Sequence, residues 1–368
     1  MGHNPPLPLR TDKLQPPTAP SPHEGHPHPT AQAARVVRVG TRTRPKAGCP
    51  PTHPHPKSHR IWRQVLLTAT TVAALIAAAH PQIPAPTPPT LPAPTAATLR
   101  STYQANRENA THAADMAAAH GDLHRAAADR TLAVRNLLTF DGRGSGQAVE
   151  VLGDPTRADH IAVLVPGSDT TLDTYARFHR TAAALYQEAH RTNPRTAVVA
   201  WLGYKAPATI STTVTTTTRA DEAAPRLHAF IRELRTLTLT PHRAHISLLC
   251  HSYGSVVCAR SAPALPVDDM VLLGSPGTAA DTVAGLHTRA RVWAARGSRD
   301  WVAHVPHVRA GLLLATLGFG TDPVSRAFGA RVFGAADADH SGYFTPGSVS
   351  LANLARITLG ETSEVTRG

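Results

Sequence analysis

The sequence contains only three cysteines, Cys49, Cys250 and Cys258, among 368 residues. Their number is odd and their spacing is unpaired, so the sequence supports neither a disulfide framework nor a zinc knuckle. Two His-Pro-His-Pro runs, at 26–29 and 53–56, could hold a soft metal ion. Proline prevents a helical spacing of these histidines, and no carboxylate or cysteine cluster accompanies them, so we expect no metal site and no cofactor.

Acidic residues are scarce beside basic ones, at 25 against 37, which gives a net charge of +12. Residues 1–63 alone carry +8 of this charge, because ten lysines and arginines there face only Asp12 and Glu24. The basicity is therefore mostly a property of this arm and does not indicate that the folded part binds nucleic acid. We expect no nucleic-acid partner.

An uncharged apolar run covers residues 65–79 and follows a segment that contains arginines. Its fifteen residues span roughly 22 Å as a helix, short of the ~30 Å hydrocarbon core, which is typical of a secretory signal. Residues 61–80 are therefore predicted to be a cleaved signal or an uncleaved membrane anchor. Either would place the rest of the chain outside the cytoplasm, secreted or membrane-anchored; the alternative is a cytoplasmic protein with an incidental apolar helix.

Composition predicts how the rest of the chain is organised. Residues 1–60 combine Pro, His, Thr and Arg without periodic apolar positions, which predicts a disordered arm. Residues 81–97 are rich in proline and are predicted to be an extended linker. Residues 98–362 are predicted to form one folded domain, which opens with a helix or helical pair over 98–138 that is broken near Gly121.

Short apolar runs alternate with helical periods in the second half of the chain. Each run is compact and bounded by turn residues, which predicts strands at 148–152, 161–165, 197–202, 246–250, 270–273, 292–295 and 332–333. Apolar residues repeat at helical spacing over 175–189 and 227–237. Strands and helices that alternate in this way predict an α/β fold, with a mainly parallel sheet covered by helices on both faces.

The strand predicted at 246–250 runs into the tetrapeptide HSYG at 251–254 and then into a helix of small residues. This is the context of a nucleophile elbow, which exposes a serine at the carboxyl edge of a sheet. A serine hydroxyl needs a neighbouring base and an N–H aimed at the developing oxyanion. Ser252 is the predicted nucleophile, and Tyr253 supplies that N–H. The usual motif is Gly-x-Ser-x-Gly, and Cys250 replaces its first glycine.

Three further predicted site residues also follow strands. Asp300 comes after the strand at 292–295, and His340 comes after the one at 332–333. The order serine, aspartate, histidine is that of an α/β-hydrolase triad. His340 would take the serine proton and return it to the leaving group, while Asp300 would hold the imidazole tautomer. The second oxyanion-hole N–H is assigned to Ser168 or Gly167, in the glycine turn after the strand at 161–165.

Other residues near these positions are weaker candidates. Asp268 and Asp269 precede their strand and so lie at the wrong end of the sheet. Asp337 and Asp339 adjoin His340, where they cap the loop or tune local charge. His304 and His307 follow Asp300 and compete with His340 for its role. His251 is expected to be structural, Cys258 to pack in the core, and Cys250 to lie beneath the turn.

Six stretches resemble an α/β-hydrolase family that is common in actinobacteria and is classed as a domain of unknown function. They are FDGRGSGQAVEVLGDP, HIAVLVPGS, WLGYKAP, LLCHSYGSVV, VDDMVLLGSPG and DADHSGYF, and the resemblance covers roughly residues 136–360. Family members usually have Gly-His-Ser-Tyr-Gly at the elbow, so Cys250 departs from the pattern. The resemblance implies the α/β-hydrolase fold and a serine hydrolase with its triad on Ser252, Asp300 and His340, and it implies no substrate.

These patterns together predict a carboxylic-ester hydrolase that acts through an acyl-enzyme on Ser252. Acyl transfer or thioester hydrolysis on the same triad is an alternative, and so is a catalytically weakened binding module of the cell envelope. Residues 274–290 leave little room for a lid, while segments 203–218 and 304–330 are candidates for the substrate wall. Apolar lining favours a small-molecule ester or lipid-like substrate. Nothing in the sequence indicates the oligomeric state.

Overall fold

The structure is a computed structural model of the chain. It describes residues 84–209, 216–238, 243–304 and 319–368, together with the backbone of 310–312 and 315–317. The predictions for the arm at 1–60, its His-Pro-His-Pro runs and the apolar segment at 61–80 therefore lie outside the described residues. Within the described ranges, no helix is long and apolar enough to cross a membrane.

Two helices open the folded part, α1 (Leu99–Ala119) and α2 (Leu123–Leu132). Gly121 between them has a φ of +88°, which glycine adopts without the penalty of a Cβ. The predicted helical pair is thus present, with its break near Gly121. Its predicted end at 138 is wrong, because Leu137–Asp141 form strand β1. This strand pairs antiparallel with the next one, β2 (Gln147–Leu152), across a short turn.

The helical pair packs on the sheet through small residues and one buried cation. Four alanines of α1 are completely buried: Ala110, Ala113, Ala114 and Ala117. Arg125 of α2 is 1% exposed, and its guanidinium donates to the Asp173 carboxylate and to the carbonyls of Gly142 and Gly144. Because a buried charge is tolerated only when its donors are matched, this arginine fixes the extension to the domain.

Eight strands form one sheet in the order β1-β2-β4-β3-β5-β6-β7-β10. The remaining strands of this sheet are β3 (His160–Val165), β4 (Thr196–Leu202), β5 (His245–His251), β6 (Asp269–Leu273), β7 (Arg291–Ala295) and β10 (Arg331–Val332). Pairing is parallel from β4 to β10 and antiparallel only at β1 and β2. The predicted mainly parallel sheet is confirmed, and every predicted strand is present with its ends shifted by at most one residue.

The sequence analysis missed one small feature besides β1. Strands β8 (Ala310–Leu312) and β9 (Ala315–Leu317) form a separate antiparallel hairpin. Each strand is only three residues long, which is too short for a pattern of alternating polarity to be recognised.

Alternate residues of the central strands face opposite helical layers. In β3, Ile161, Val163 and Val165 join a core cluster with α4 (Thr218–Leu237) and α5 (Gly254–Ser261). Ala162 and Leu164 join a second cluster with α3 (Tyr175–Thr192) and α6 (Val349–Thr358). Because both faces of the sheet are covered, the central strands are apolar throughout and do not alternate with polar residues.

Candidate active site

The carboxyl ends of four parallel strands bring the predicted site residues to one edge of the sheet. Gly167 and Ser168 follow β3, Ser252 follows β5, Asp300 follows β7 and His340 follows β10. Neighbouring parallel strands end at the same edge, so loops that are distant in sequence become adjacent there. This edge is where open α/β sheets place their ligand-binding crevices.

Ser252 occupies a sharp turn between β5 and α5. Its φ is +53°, in the left-handed region that residues with a Cβ rarely adopt, and its N–H donates to the carbonyl of Leu273 at 2.9 Å. Two glycines make the turn possible. A Cβ on Gly254 would lie 2.5 Å from the carbonyl oxygen of Val165, and one on Gly167 would lie 2.6 Å from the Cβ of Ser252. The chain therefore holds Ser252 in the strained geometry of a nucleophile elbow.

The structure brings Ser252, His340 and Asp300 into one hydrogen-bonded row. His340 Nε2 lies 2.9 Å from Ser252 Oγ, and His340 Nδ1 lies 2.9 Å from Asp300 Oδ1. A carboxylate can only accept, so it fixes the proton of the neutral imidazole on Nδ1 and leaves Nε2 as an acceptor. The imidazole is thereby oriented to accept the proton of the Ser252 hydroxyl.

The Asp300 carboxylate is buried at 1% exposure and is surrounded by donors. Its Oδ2 accepts from the Tyr343 hydroxyl at 2.5 Å, and its Oδ1 also accepts from the N–H of Val302 at 2.9 Å. Burial by itself would raise the pKa of Asp300, but hydrogen bonds from His340, Tyr343 and the Val302 N–H hold this pKa below its ordinary value. The carboxyl group is therefore ionised at neutral pH despite being buried.

Two backbone segments flank the Ser252 hydroxyl. Among the described residues, neither the N–H of Tyr253 nor that of Ser168 donates to a hydrogen-bond acceptor. The buried Tyr204 hydroxyl donates to the Pro166 carbonyl at 2.7 Å and so holds the start of the loop that contains Gly167 and Ser168. The structure thus places Gly167, Ser168 and Tyr253, the predicted oxyanion residues, beside Ser252.

Comparison with other proteins agrees with this architecture. Residues 141–310 match the model of a family described as "Alpha/beta hydrolase". The parallel sheet, the turn at Ser252 and this match identify the fold. The domain has the α/β-hydrolase fold. The resemblance to α/β hydrolases drawn from the sequence is confirmed.

Two curated relatives are mycobacterial. Uncharacterized protein Rv2079 of Mycobacterium tuberculosis is 31% identical over 246 residues, which cover 59% of this chain and 37% of the relative. Uncharacterized protein Mb0988c of Mycobacterium bovis is 34% identical over 137 residues, which cover 34% of this chain and 51% of the relative. The chain therefore spans between about a third and a half of the length of these relatives.

Similar solved structures include two esterases. Esterase PE8 shows 18% identity and a TM-score of 0.39, and the match covers 58% of this chain and 97% of that protein. A carboxylesterase from Mesorhizobium loti shows 18% identity and a TM-score of 0.37, with 58% of this chain and 95% of that protein covered.

Sequence reasoning missed two residues of the α/β-hydrolase domain that contact the histidine–aspartate pair. Tyr343 binds the Asp300 carboxylate, as described above, and Gly274 leaves the space that this pair occupies. Gly274 has a φ of +51°, and a Cβ there would lie 2.5 Å from Asp300 Oδ2 and 3.1 Å from His340 Nδ1. Both residues lie within stretches that carried the family resemblance, VDDMVLLGSPG and DADHSGYF. The signal was present without an indication of the role.

Replacing Tyr343 by phenylalanine is expected to move the acidic limb of the pH–kcat/KM profile to higher pH. The hydroxyl is one of the donors that lower the pKa of Asp300, so its loss makes the carboxylate more basic. A more basic carboxylate stabilises the protonated imidazole, and this limb reports protonation of the base in the free enzyme. Profiles of wild type and variant on one ester measure the shift.

Tyr103→Phe is the control for that substitution. The Tyr103 hydroxyl is buried in α1 and has no hydrogen-bond partner among the described residues. Its removal is expected to leave the pH profile in place. An unchanged profile in Tyr343→Phe, or equal shifts in both variants, would show that the hydroxyl at 343 has no influence on the base.

His251 holds the loop that carries His340. Its Nε2 lies 2.6 Å from the carbonyl oxygen of His340. Burial is the main cause that lowers the pKa of His251 to about 4, and the nearby His340 ring is the second. The ring is therefore neutral at neutral pH, and its proton must be on Nε2, because a carbonyl only accepts. This agrees with the structural role predicted for His251 and fixes the backbone at position 340.

The prediction that the three cysteines support no disulfide is wrong. Cys250 and Cys258 form a disulfide with an S–S distance of 2.03 Å and Cα atoms 6.3 Å apart, and both residues are completely buried. The chain turns back from β5 into α5 at the elbow, so residues eight apart in sequence face each other. Spacing rules derived from disulfide-rich domains do not capture a pair created by one turn. Cys250 therefore binds Cys258 and is not a free thiol.

A cavity of about 590 Å³ is lined by Ser252 and His340. Its apolar wall includes Leu164, Phe178, Leu249, Trp301, Val302, Phe319 and Phe344. Trp301 is 51% exposed, and its ring centroid lies 4.7 Å from that of His340. Of the predicted wall segments, 304–330 contributes Phe319 and 203–218 contributes Thr209. The side chains of 310–318 and all of 210–215 lie outside the described residues.

The weaker candidates lie away from this cavity or serve as caps. Asp269 is buried at the opposite edge of the sheet, where it accepts from Arg291 and from the Trp293 indole. Asp337 pairs with Arg299, Asp339 accepts from the N–H of Ser341, Asp268 pairs with Arg235, and His304 is exposed. His307 lies outside the described residues. Of the candidates that the structure describes, none contacts the Ser252 hydroxyl.

Proposed function

We propose that the domain is a serine hydrolase that cleaves a carboxylic ester through an acyl-enzyme on Ser252. The observation that carries the proposal is the hydrogen-bonded row, with 2.9 Å from Ser252 Oγ to His340 Nε2 and 2.9 Å from His340 Nδ1 to Asp300 Oδ1. A serine becomes nucleophilic when a base oriented by a third group removes its proton. The catalytic assignments for Ser252, His340 and Asp300 follow from this row.

Acylation begins when Ser252 Oγ attacks the ester carbonyl carbon and its proton passes to His340 Nε2. The negative charge that develops on the carbonyl oxygen is stabilised by the N–H of Tyr253 and by that of Ser168 or Gly167. Asp300 stays ionised and stabilises the imidazolium. Collapse of the tetrahedral intermediate breaks the bond to the alcohol oxygen, which takes the proton from His340 as the alcohol leaves.

Deacylation repeats the sequence with water. His340 Nε2 accepts a proton from a water molecule, whose oxygen attacks the acyl carbon bound to Ser252. The carboxylic acid then leaves, and the proton on His340 returns to Ser252 Oγ. An alcohol in place of the water would give acyl transfer on the same residues, so competition between the two acceptors separates the alternatives.

The proposed substrate is a small-molecule ester with an apolar portion. The cavity volume of about 590 Å³ lies within the range of about 300–1,000 Å³ that holds small ligands. Its walls are mainly aliphatic and aromatic, which supports an acyl ester or lipid-like molecule as the ligand.

A fluorophosphonate probe tests the proposal on the full-length protein. The probe reacts only with activated serines, so we expect stoichiometric labelling, with the mass addition mapped to the peptide that contains Ser252. Hydrolysis of a short-chain 4-nitrophenyl ester is expected in parallel, and pretreatment with the probe is expected to abolish it. A folded protein that neither reacts with the probe nor cleaves esters would contradict the proposal and favour a binding module.

We further propose that the domain functions outside the cytoplasm, delivered or anchored by residues 61–80. The Cys250–Cys258 disulfide supports this location, because disulfides persist mainly in oxidising compartments. Protein isolated from cell fractions and alkylated without reductant under denaturing conditions is expected to leave Cys250 and Cys258 unmodified. Protein that fractionates with the cytosol and carries alkylated Cys250 and Cys258 would contradict this localisation.

A further inference from the structure

Among the described residues that line the cavity, Arg177 is the one side chain with a permanent positive charge. It lies in the first turn of α3 and is exposed to solvent. Among the described residues it has no ion-pair partner, whereas Arg125 and Arg135 bind Asp173 and Glu150. An arginine presents five donors in a planar fork, and this one pairs with no carboxylate in the part of the chain that the structure describes.

Among the described lining residues the only acidic one is Asp169, and its carboxylate is already bound. Its Oδ1 accepts from the N–H of Thr209 at 2.9 Å, and its Oδ2 accepts from the Thr209 hydroxyl. The hydroxyl of Thr181, also in the lining, donates to the Arg177 carbonyl at 3.2 Å. The cavity therefore combines apolar walls with one cation whose donors are available.

The charge of Arg177 reaches the catalytic end of the cavity. Burial is the main cause that lowers the pKa of His251, and the positive charge of Arg177 acts in the same direction. The His251 ring packs on the His340 ring with centroids 4.8 Å apart. Arg177 and Ser252 line the same cavity, so a molecule bound at Ser252 can reach the guanidinium.

We infer that the ester substrate carries an anionic group, a carboxylate or a phosphate, that binds Arg177 while its apolar part occupies the cavity. The inference rests on the proposed function. Guanidinium and carboxylate or phosphate form parallel, charge-assisted hydrogen bonds. A wholly neutral ester would leave the arginine donors to water alone and would gain nothing from them.

Two pairs of esters distinguish where the anion is. The first pair has the carboxylate in the acyl part: mono-4-nitrophenyl esters of dicarboxylic acids from succinate to sebacate, each against its methyl-capped neutral counterpart. The second pair has the phosphate in the alcohol part: an acyl ester of glycerol 3-phosphate against the same acyl ester of glycerol. We expect kcat/KM to be at least about tenfold higher for the anionic member of one pair. The dicarboxylate series should also show an optimum chain length, since Arg177 is fixed in the wall.

Arg177→Gln is expected to lower kcat/KM for the preferred anionic ester by about tenfold to a hundredfold, the usual effect of losing a charge-assisted hydrogen bond. Turnover of the neutral counterpart is expected to stay within about twofold. Arg180→Gln is the matched control, because Arg180 is exposed on the same helix and does not line the cavity. It should change neither rate. Added salt should reduce the preference of wild type and leave that of Arg177→Gln unchanged.

The inference is overturned if wild type cleaves the anionic and neutral members of both pairs equally well. It is also overturned if Arg177→Gln lowers the rates for both members of a pair by the same factor. Neutral-ester turnover and fluorophosphonate labelling of Ser252 do not depend on Arg177, so they report the proposed function separately. A wild-type protein that shows neither neutral-ester turnover nor fluorophosphonate labelling would contradict the proposed function, and the inference with it.

Discussion

Replacing Ser252 by alanine is expected to lower kcat for ester hydrolysis by roughly 10⁶-fold, the size of effect seen when a triad serine is removed. The substitution removes the only atom that can form the acyl-enzyme, and it leaves His340 Nε2 without the hydroxyl that now lies 2.9 Å away. What remains is the turnover that binding and the oxyanion donors give to attack by water, which is still above the uncatalysed rate.

The Ser252→Ala variant is expected to fold as wild type does. Ser252 has a φ of +53°, a conformation that alanine tolerates no better than serine, so the elbow strain is the same in the variant. Ser261→Ala is the matched control. Ser261 lies at the end of α5, and its hydroxyl donates to the Val257 carbonyl at 2.8 Å, away from the cavity. We expect near-wild-type turnover in that variant. A Ser252→Ala protein that kept more than about a tenth of the activity would refute the acyl-enzyme mechanism.

Asp300→Asn is expected to lower kcat by about 10⁴-fold while leaving the fold intact. The change removes the charge that stabilises the imidazolium and introduces an NH₂ group where only acceptors fit. Asp300 Oδ1 accepts from Val302 N–H and from His340 Nδ1, and Oδ2 accepts from the Tyr343 hydroxyl. The amide NH₂ therefore meets a donor at either position. If it faces His340 Nδ1, the imidazole proton moves to Nε2, and the base can no longer accept from Ser252.

The comparison variant is Asp337→Asn. Asp337 also carries a carboxylate in the loop before His340, but its side chain is 76% exposed and pairs with Arg299. Exposed ion pairs contribute little to stability, so this variant is expected to keep wild-type activity and Tm. Turnover and near-ultraviolet circular dichroism of both variants decide the outcome. Equal activities in Asp300→Asn and wild type would show that another group orients His340.

Much of the fold and the candidate site could be predicted from sequence because the signals are local. Buried parallel strands need continuous apolar runs, and those runs predicted the central strands from β3 to β7 to within one residue. The elbow is a strand, a small-residue turn and a helix in succession, so Ser252 could be predicted from its neighbours. Asp300 and His340 were found because each is the polar side chain that follows a strand at its carboxyl end.

The rest depended on which loops become neighbours. The strand order β5-β6-β7-β10 puts the ends of four separate segments side by side. This order places Gly274 next to Asp300, where a side chain would clash with the carboxylate. It also allows Tyr343 to reach the Asp300 carboxylate from the loop that carries His340. Nothing in the residues around Gly274 or Tyr343 indicates such partners, because their partners are 26 and 43 residues away in sequence.

The sequence by itself determined that this chain contains a mainly parallel α/β domain with a serine in the tight turn after its central strand. Hydrophobic periodicity and turn chemistry act within a few residues, so they are written in the local pattern. Only the tertiary structure decided that Cys250 and Cys258 are joined and that Arg177 lines the cavity of Ser252. Contacts between side chains depend on the turn angle at the elbow and on the packing of α3 against the sheet. Those are set by the whole core and not by any one segment.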